Sequence, residues 1–153
     1  MIPFYPIAFV LVLFLQGNGI APVAGDFFHP TEKARFEKAK NVEGRIKVYE
    51  TASKRIQQAL EASITKDDLQ LVPKNLNLWS SLLAQSLEDI EANLKTKKKP
   101  RALINYEIQI RKSIASMENF RTRVPVEQQD ALDACLTQAE KVRKKFVEIL
   151  FLH

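Results

Sequence analysis

The chain has 153 residues, enough for one domain with one core once a leader of about 25 residues is set aside. Hydrophobic residues make up 46% and charged residues 27%, a globular balance that argues against intrinsic disorder. Gly44 is the only glycine after residue 25, which excludes a glycine-rich phosphate loop. The net charge of +5 is compatible with anionic partners without identifying one.

An apolar run near the N terminus predicts a removable signal peptide. Residues 7–15 are uninterruptedly apolar and too short to span a bilayer comfortably. Residues 23–25 are small and precede the first charged residue, Asp26. We therefore predict cleavage after Gly25 and export to the periplasm or the medium. No lysine or arginine precedes the run, so an uncleaved anchor and a buried helix remain as alternatives.

The first predicted helix covers residues 31–63. Thr31 is expected to be its N-cap, and Glu32 adds a favourable charge in the first turn. Gly44 lies off the apolar stripe, so the helix should continue through it at some loss of propensity. The stripe, at helical spacing, consists of Ala39, Val42, Ile46, Tyr49, Ser53, Ile56 and Leu60.

A second helix is predicted over residues 67–95. Pro73 lies inside it, but the apolar phase continues across the proline, which favours a kink over two separate elements. The stripe of this helix consists of Leu69, Val72, Leu76, Trp79, Leu83, Ser86, Ile90 and Leu94.

Two further helices are predicted over residues 100–123 and 126–151. Pro100 suits the first position of one, and Pro125 separates the two because the residue before a proline avoids the helical region. The stripe of the third helix is Leu103, Tyr106, Ile110, Ile114, Met117 and Phe120. The stripe of the fourth is Leu132, Cys135, Ala139, Val142, Phe146 and Ile149.

Four long helices with short links predict one all-α domain over residues 26–153, an antiparallel up-down-up-down four-helix bundle preceded by the signal peptide. The stripes keep close to a seven-residue repeat, as in coiled-coil packing. The alternative is a pair of stacked helical hairpins from an α-solenoid, but the two halves show no self-similarity.

The sequence contains no recognisable catalytic, cofactor or metal motif. His29 and His153 are the only histidines, and neither has a ligand partner at metal-binding spacing. Cys135 lies on an apolar stripe, which predicts a buried, inert thiol. Acidic residues such as Asp89 fall mostly on predicted outer faces, where a solvated role is usual. We therefore expect no catalytic residue, metal or cofactor.

Cations are predicted to collect at one end of the bundle. Antiparallel helices bring together the start of the first helix, the loop between the second and third, and the end of the fourth. The candidate contacts for an anionic surface are Lys95, Lys97, Lys98, Lys99, Arg101, Lys141, Arg143, Lys144 and Lys145. The first helix adds Lys33, Arg35, Lys38 and Lys40. The opposite end holds Asp67, Asp68, Glu127, Asp130 and Asp133. Solubility and helix-dipole pairing are the simpler explanation of the same charges.

These patterns favour a non-catalytic, exported interaction or structural protein of the cell envelope, whose basic end contacts a membrane surface or another, acidic envelope protein. A periplasmic chaperone or adaptor that binds a partner in a helical groove is the alternative, and an enzyme is the third. Nucleic acid is not expected as a partner. No aromatic residues that could stack on bases alternate with the lysines, and the predicted location is outside the cell.

Overall fold

The computed structural model describes residues 26–95 and 98–151. Within these ranges all regular structure is helical and no strand occurs, which confirms the all-α class. The five α-helices are α1 (Pro30–Lys38), α2 (Val42–Thr65), α3 (Val72–Asn93), α4 (Arg101–Phe120) and α5 (Val126–Phe151). Short 3₁₀ turns cover Leu69–Leu71 and Arg121–Arg123. The predicted signal peptide, residues 1–25, lies outside the described residues.

The expected first helix is in fact two helices, α1 and α2. The chain leaves the helical conformation at Ala39 (φ −66°, ψ 121°), and Asn41 caps α2 by accepting a 2.8 Å hydrogen bond from the Gly44 amide. A Cβ atom at Gly44 would lie 3.2 Å from the Cβ of Ala39, so the glycine suits this tight corner. The N-cap of α1 is His29, not Thr31.

An aromatic cluster fastens α1 against α2. Phe28 lies between Phe27 and Phe36, with ring centroids 4.7 Å and 5.0 Å away. The Phe36 ring meets Tyr49 of α2 edge-on at 5.3 Å. All four rings are buried, so α1 extends the core along one flank of α2.

A charged clamp completes this attachment. Arg55 of α2 donates from Nε and Nη2 to the two carboxylate oxygens of Glu32, at 2.8 Å each. The same Nη2 donates to the carbonyl oxygen of Phe27 at 2.6 Å. Because Glu32 lies beside Arg55 and Phe36 beside Tyr49, α1 runs antiparallel to α2.

Pro73 neither kinks nor divides a helix. It lies in the first turn of α3, where its missing N–H costs no intrahelical hydrogen bond, and the preceding 3₁₀ turn carries Leu69 and Leu71. The expected kink is therefore wrong. The apolar phase continues through the proline because a 3₁₀ turn differs little in periodicity from an α-helix over so few residues.

Consecutive helices form two antiparallel pairs. In the first, Arg45 and Ser53 of α2 bond to Asp89 and Trp79 of α3 respectively. In the second, the rings of Tyr106 in α4 and Phe146 in α5 lie 5.4 Å apart, and Arg121, directly after α4, pairs with Asp133 in the first half of α5.

The two pairs pack against each other with parallel neighbours, α2 beside α4 and α3 beside α5. Gln128 of α5 donates to the Leu69 carbonyl at 3.0 Å, and Gln138 donates to the Ser80 carbonyl at 3.2 Å; the sequence offsets of 59 and 58 residues show the parallel direction. The consecutive helices α3 and α4 are thus diagonal to each other. The hydroxyls of Ser86 and Tyr106 meet at 2.9 Å across that diagonal.

Most residues of the predicted stripes are buried, and residues outside the stripes, such as Phe28 and Leu82, complete the core. Trp79, Tyr49, Tyr106 and Met117 have no exposed surface, which confirms that these residues are packing residues. The Trp79 indole donates to the Ser53 hydroxyl at 2.9 Å, so its only polar atom is satisfied inside the core. No helix in the described ranges combines the length and the apolar character needed to cross a membrane.

Candidate functional site

The start of α2, the segment before α4 and the end of α5 lie at one end of the molecule. Residues 41–43 share an open cleft of about 500 Å³ there with Leu94 and residues 98–101. The contact between Tyr106 and Phe146 brings the last turns of α5 beside the first turns of α4. Lys95, Lys98, Lys99 and Arg101 lie at this end, and Lys141, Arg143, Lys144 and Lys145 continue from it along the second half of α5; we call these eight described cations together the basic end. Lys97, the remaining predicted contact, lies outside the described residues.

Most side chains of the basic end face solvent. Lys99 and Arg143 are partly buried. The exposed members are Lys95, Lys98, Arg101, Lys141, Lys144 and Lys145. One exposed member, Lys145, also pairs with Glu148 at 3.1 Å. The region therefore presents a group of cations to the outside, partly offset by carboxylates.

Arg143 has a different role from its neighbours. Its Nε and Nη2 donate to the two carboxylate oxygens of Glu140 at 2.9 Å and 2.7 Å, and its Nη1 donates to Glu107 at 3.0 Å. The side chain is 22% exposed. Pairing with Arg143 lowers the pKa of Glu140 below its ordinary value. Arg143 thus joins α4 to α5, and its guanidinium is largely occupied within the protein.

The first helix contributes fewer cations to this end than the sequence suggests. Since α1 runs antiparallel to α2 with its start beside Arg55, Lys33 lies well along the flank of α2. Lys38 and Lys40 are close to the corner before α2 and therefore near the basic end.

The opposite end is not purely acidic. Asp133 of the expected acidic group pairs with Arg121 at 2.5 Å, and Arg123 lies over the Phe120 ring at 5.6 Å. Lys66 also lies at this end, directly after α2. The lengthwise charge asymmetry therefore comes mainly from the lysines of the basic end.

Two exposed apolar side chains lie near the basic end, and neither was predicted as part of the site. Ile104 in the first turn of α4 is 43% exposed, and Phe151 in the last turn of α5 is 74% exposed. The sequence did indicate their exposure, because both are apolar residues that lie outside the apolar stripe of their helix. At the other end Val126 is 77% exposed beside the acidic Glu127.

A buried polar cluster lies between α2 and α3. Its central residue, Asp89, was predicted to lie on an outer face. The Asp89 side chain is only 1% exposed. Its Oδ2 accepts from Arg45 Nε at 2.8 Å and from the Tyr49 hydroxyl at 3.0 Å. Its Oδ1 accepts from Arg45 Nη2 at 2.9 Å and from Asn93 Nδ2 at 2.8 Å. Burial, and then the nearby Asp89 carboxylate, raise the pKa of Tyr49. The four bonds saturate this carboxylate, which suits a structural role.

Two open grooves run along the surface, and charged or polar side chains dominate both. The groove between α4 and α5, of about 550 Å³, is lined by Ile114, Glu118, Leu136, Thr137, Glu140, Lys141, Lys144, Lys145 and Glu148. The groove between α2 and α4, of about 460 Å³, is lined by Glu50, Lys54, Gln57, Asn105, Ile108, Gln109, Lys112, Ser113 and Ser116. Their linings differ from the apolar grooves that hold amphipathic helices.

The thiol of Cys135 is buried, as its position on the stripe predicts. It accepts a hydrogen bond from the Ser80 hydroxyl at 3.2 Å and lies 3.7 Å from the Leu76 carbonyl oxygen. Burial raises its pKa, which disfavours the reactive thiolate. Among the described residues, no three His, Cys, Asp or Glu side chains form a group that could hold a metal ion.

Comparison with protein-family models, curated protein sequences and solved structures finds no match to this chain.

Proposed function

We propose that this chain is an exported, non-catalytic protein of the cell envelope whose basic end contacts an anionic surface. The observation that carries the proposal is the collection of exposed lysines and Arg101 from two separate parts of the chain, at one end of the molecule and along the adjoining half of α5. Charges that are distant in sequence create a strong field when the fold brings them together.

The helix ends strengthen this field. The N termini of α2 and α4 both lie at the basic end, and α4 has neither a side-chain cap nor an acidic residue in its first turn. The positive end of the α4 dipole is therefore added to the charges of Lys98, Lys99 and Arg101. An anionic surface outside the molecule would offset this unfavourable arrangement of like charges.

We further propose that α2 to α5 act as a four-helix bundle made of two antiparallel pairs with parallel neighbours between the pairs, with α1 as an added flank. Two antiparallel pairs packed face to face would give a rigid body that holds the start of α4 and the last turn of α5 in fixed relation. A rigid body presents its charges together, which favours contact with an extended surface.

The magnitude of the interaction is suited to reversible binding. Each well-placed lysine or arginine contributes about 1 kcal/mol near an anionic bilayer, and salt weakens that contribution. Several such residues together would give a contact that forms at low ionic strength and weakens progressively as salt is added.

The adaptor alternative has less support, because most of the residues that line the two grooves described above are charged or polar. For an enzyme, the saturated bonding of Asp89 and the buried Cys135 offer no group poised for chemistry within the described residues.

Vesicle sedimentation tests the proposal. Protein purified from the envelope fraction of producing cells is mixed with anionic or neutral phospholipid vesicles over a salt series. We expect preferential pelleting with anionic vesicles that weakens as salt rises. Equal, salt-independent partitioning to both kinds of vesicle, or none to either, would contradict the proposal.

A matched pair of triple variants locates the contact. Replacing Lys98, Lys99 and Arg101 with glutamine should weaken anionic binding and flatten its salt dependence. The control replaces Lys66, Lys74 and Lys112, which are exposed and lie elsewhere, and removes the same charge. Equal losses in the two variants would show that net charge matters and that the basic end does not.

The N terminus of the purified protein tests the proposed export. Mass spectrometry of envelope and cytosolic fractions should find the protein in the envelope, beginning at Asp26. Accumulation in the cytosol with residues 1–25 retained would refute export.

A further inference from the structure

We infer that the anionic surface is a lipid bilayer, and that Ile104 and Phe151 enter its interfacial layer while the surrounding cations bind lipid phosphates. This inference rests on the proposed function and adds to it the chemical class of the partner and the orientation of the molecule. It depends on where the two exposed apolar side chains lie relative to the cations.

Phe151 shares a helix face with the cations of α5. Lys141, Lys144, Glu148 and Phe151 follow one another at spacings of three, four and three residues, which places them on one side of the helix. The first three line the groove between α4 and α5. Phe151 therefore lies where this face reaches the basic end.

Ile104 lies on the outer side of α4, between the faces that line the two grooves. A later residue, Glu118, lines the groove between α4 and α5, whereas the residue one turn after Ile104 lines the groove between α2 and α4. Along the helix axes, Ile104 is about 3 Å beyond Tyr106 and Phe151 about 7.5 Å beyond Phe146, both toward the basic end. Since Tyr106 and Phe146 are in contact, the two exposed apolar side chains lie at the same end of the molecule.

The combination of an exposed aromatic ring with lysines is the reason to choose a bilayer over an acidic protein or a polyanion. A soluble polyanion needs only the charges, whereas a membrane interface accommodates apolar side chains and binds basic ones at the headgroups. Val126 shows the contrast, because it is equally exposed but is followed within one turn of its own helix by Glu127 and Asp130 and by no lysine or arginine. Exposure alone therefore does not distinguish Phe151, but its charged surroundings do.

Tryptophan placed at each position reports on insertion. Phe151→Trp and Val126→Trp variants are mixed with anionic vesicles, and the spectrum of the unsubstituted protein is subtracted because it contains only the buried Trp79. We expect the emission of the residue at 151 to shift to shorter wavelength and to be quenched by lipids brominated in their acyl chains. The residue at 126 should respond to neither.

A second pair of variants measures the contribution of the apolar side chains to binding. Replacing Ile104 and Phe151 with serine should weaken partitioning by about tenfold while leaving its salt dependence unchanged. The control replaces Leu71 and Val126, two exposed apolar residues at the other end, and should bind as the unsubstituted protein does. Circular dichroism should show unchanged helix content in both.

The outcomes separate this inference from the proposed function. Salt-sensitive binding to anionic vesicles without any response at position 151 would overturn bilayer insertion and leave the electrostatic contact standing. An equal response at positions 151 and 126 would overturn the orientation. Absence of binding to anionic vesicles would overturn both proposals.

Discussion

Two of the carboxylate–arginine clusters that join neighbouring helices differ in their exposure to water. Between α2 and α3, Asp89 is 1% exposed and receives four hydrogen bonds from three side chains. Between α4 and α5, Glu107 is 10% exposed, and its partner Arg143 is shared with Glu140. The same chemistry thus occurs once inside the core and once at its edge.

This difference determines what each cluster contributes. Removing one partner from a buried pair leaves an uncompensated charge in a medium of low polarity, whereas water stabilises the remaining partner at an edge. The α2/α3 cluster should therefore fix the pairing of its helices, while the α4/α5 cluster should tolerate substitution with only a small loss of stability.

The largest expected effect is the loss of Asp89. Asp89→Ala should destabilise the protein by about 3–5 kcal/mol, because Arg45 remains charged and Tyr49 loses its acceptor. Glu107→Ala should cost about 1 kcal/mol, since Arg143 keeps Glu140. Urea unfolding followed by circular dichroism measures both. Equal losses would show that the two clusters do not differ in this way.

The clamp between Glu32 and Arg55 should have an intermediate effect, and the effect should depend on pH. Burial raises the pKa of Glu32, but the hydrogen bonds from Arg55 and from the His29 amide outweigh it and lower the pKa overall. A lowered folded-state pKa contributes stability that is fully present above the ordinary glutamate pKa and is lost as pH falls through the lowered value.

Glu32→Gln should therefore cost about 2 kcal/mol at neutral pH and less at strongly acidic pH. Unfolding measured from pH 7 downward, with Glu43→Gln as an exposed first-turn control, checks this expectation. A loss for Glu32→Gln that stays constant across the acid range would show that its ionisation contributes nothing to stability.

The hydroxyl pair between Ser86 and Tyr106 extends the comparison to neutral groups. Tyr106→Phe should cost about 1 kcal/mol, because it leaves the buried Ser86 hydroxyl with only the Leu83 carbonyl as partner. Adding Ser86→Ala should recover part of that loss. Strictly additive losses in this double-mutant cycle would mean that the two hydroxyls do not interact.

The smallest expected effect belongs to the exposed pair of Lys145 and Glu148. Glu148→Gln should change the free energy of unfolding by no more than about 0.5 kcal/mol, since solvent screens both charges. It should nevertheless strengthen binding to anionic vesicles by removing a negative charge from the basic end. A large loss of stability would show that this exposed pair contributes as much to the free energy of unfolding as the buried clusters do.

Helical periodicity predicted most of the core but not the boundaries of the first helices. Ile46, Trp79 and Leu103 are fully buried because the 3.6-residue repeat places them on inward faces. The break before Asn41 escaped prediction because Ala39 and Val42 keep the helical spacing across it.

The order of the helices around the core also escaped prediction. An amphipathic stripe shows which side of a helix is buried but not which helix covers it. The parallel pairing of α3 with α5 therefore became visible only in contacts such as that between Gln138 and Ser80.

For the candidate site, the sequence predicted the cations but not their partners. Lys98 and Arg101 were expected at this end from helix direction alone. The engagement of Arg143 by Glu107 joins residues 36 positions apart, and no local pattern encodes such a pair. Asp89 was predicted to be exposed but is buried. Its partner Arg45 is 44 residues away, so no local pattern encodes this pair either.

The attachment of α1 has a practical consequence for how the protein is handled. The stretch beginning at Phe27 is tied to Arg55, near the middle of α2, so an affinity tag placed before it would project from the flank of the molecule. A tag appended after the end of α5 would instead extend from beside Arg101 and Phe151. Binding measurements on C-terminally tagged material would therefore report on a surface that the tag itself covers.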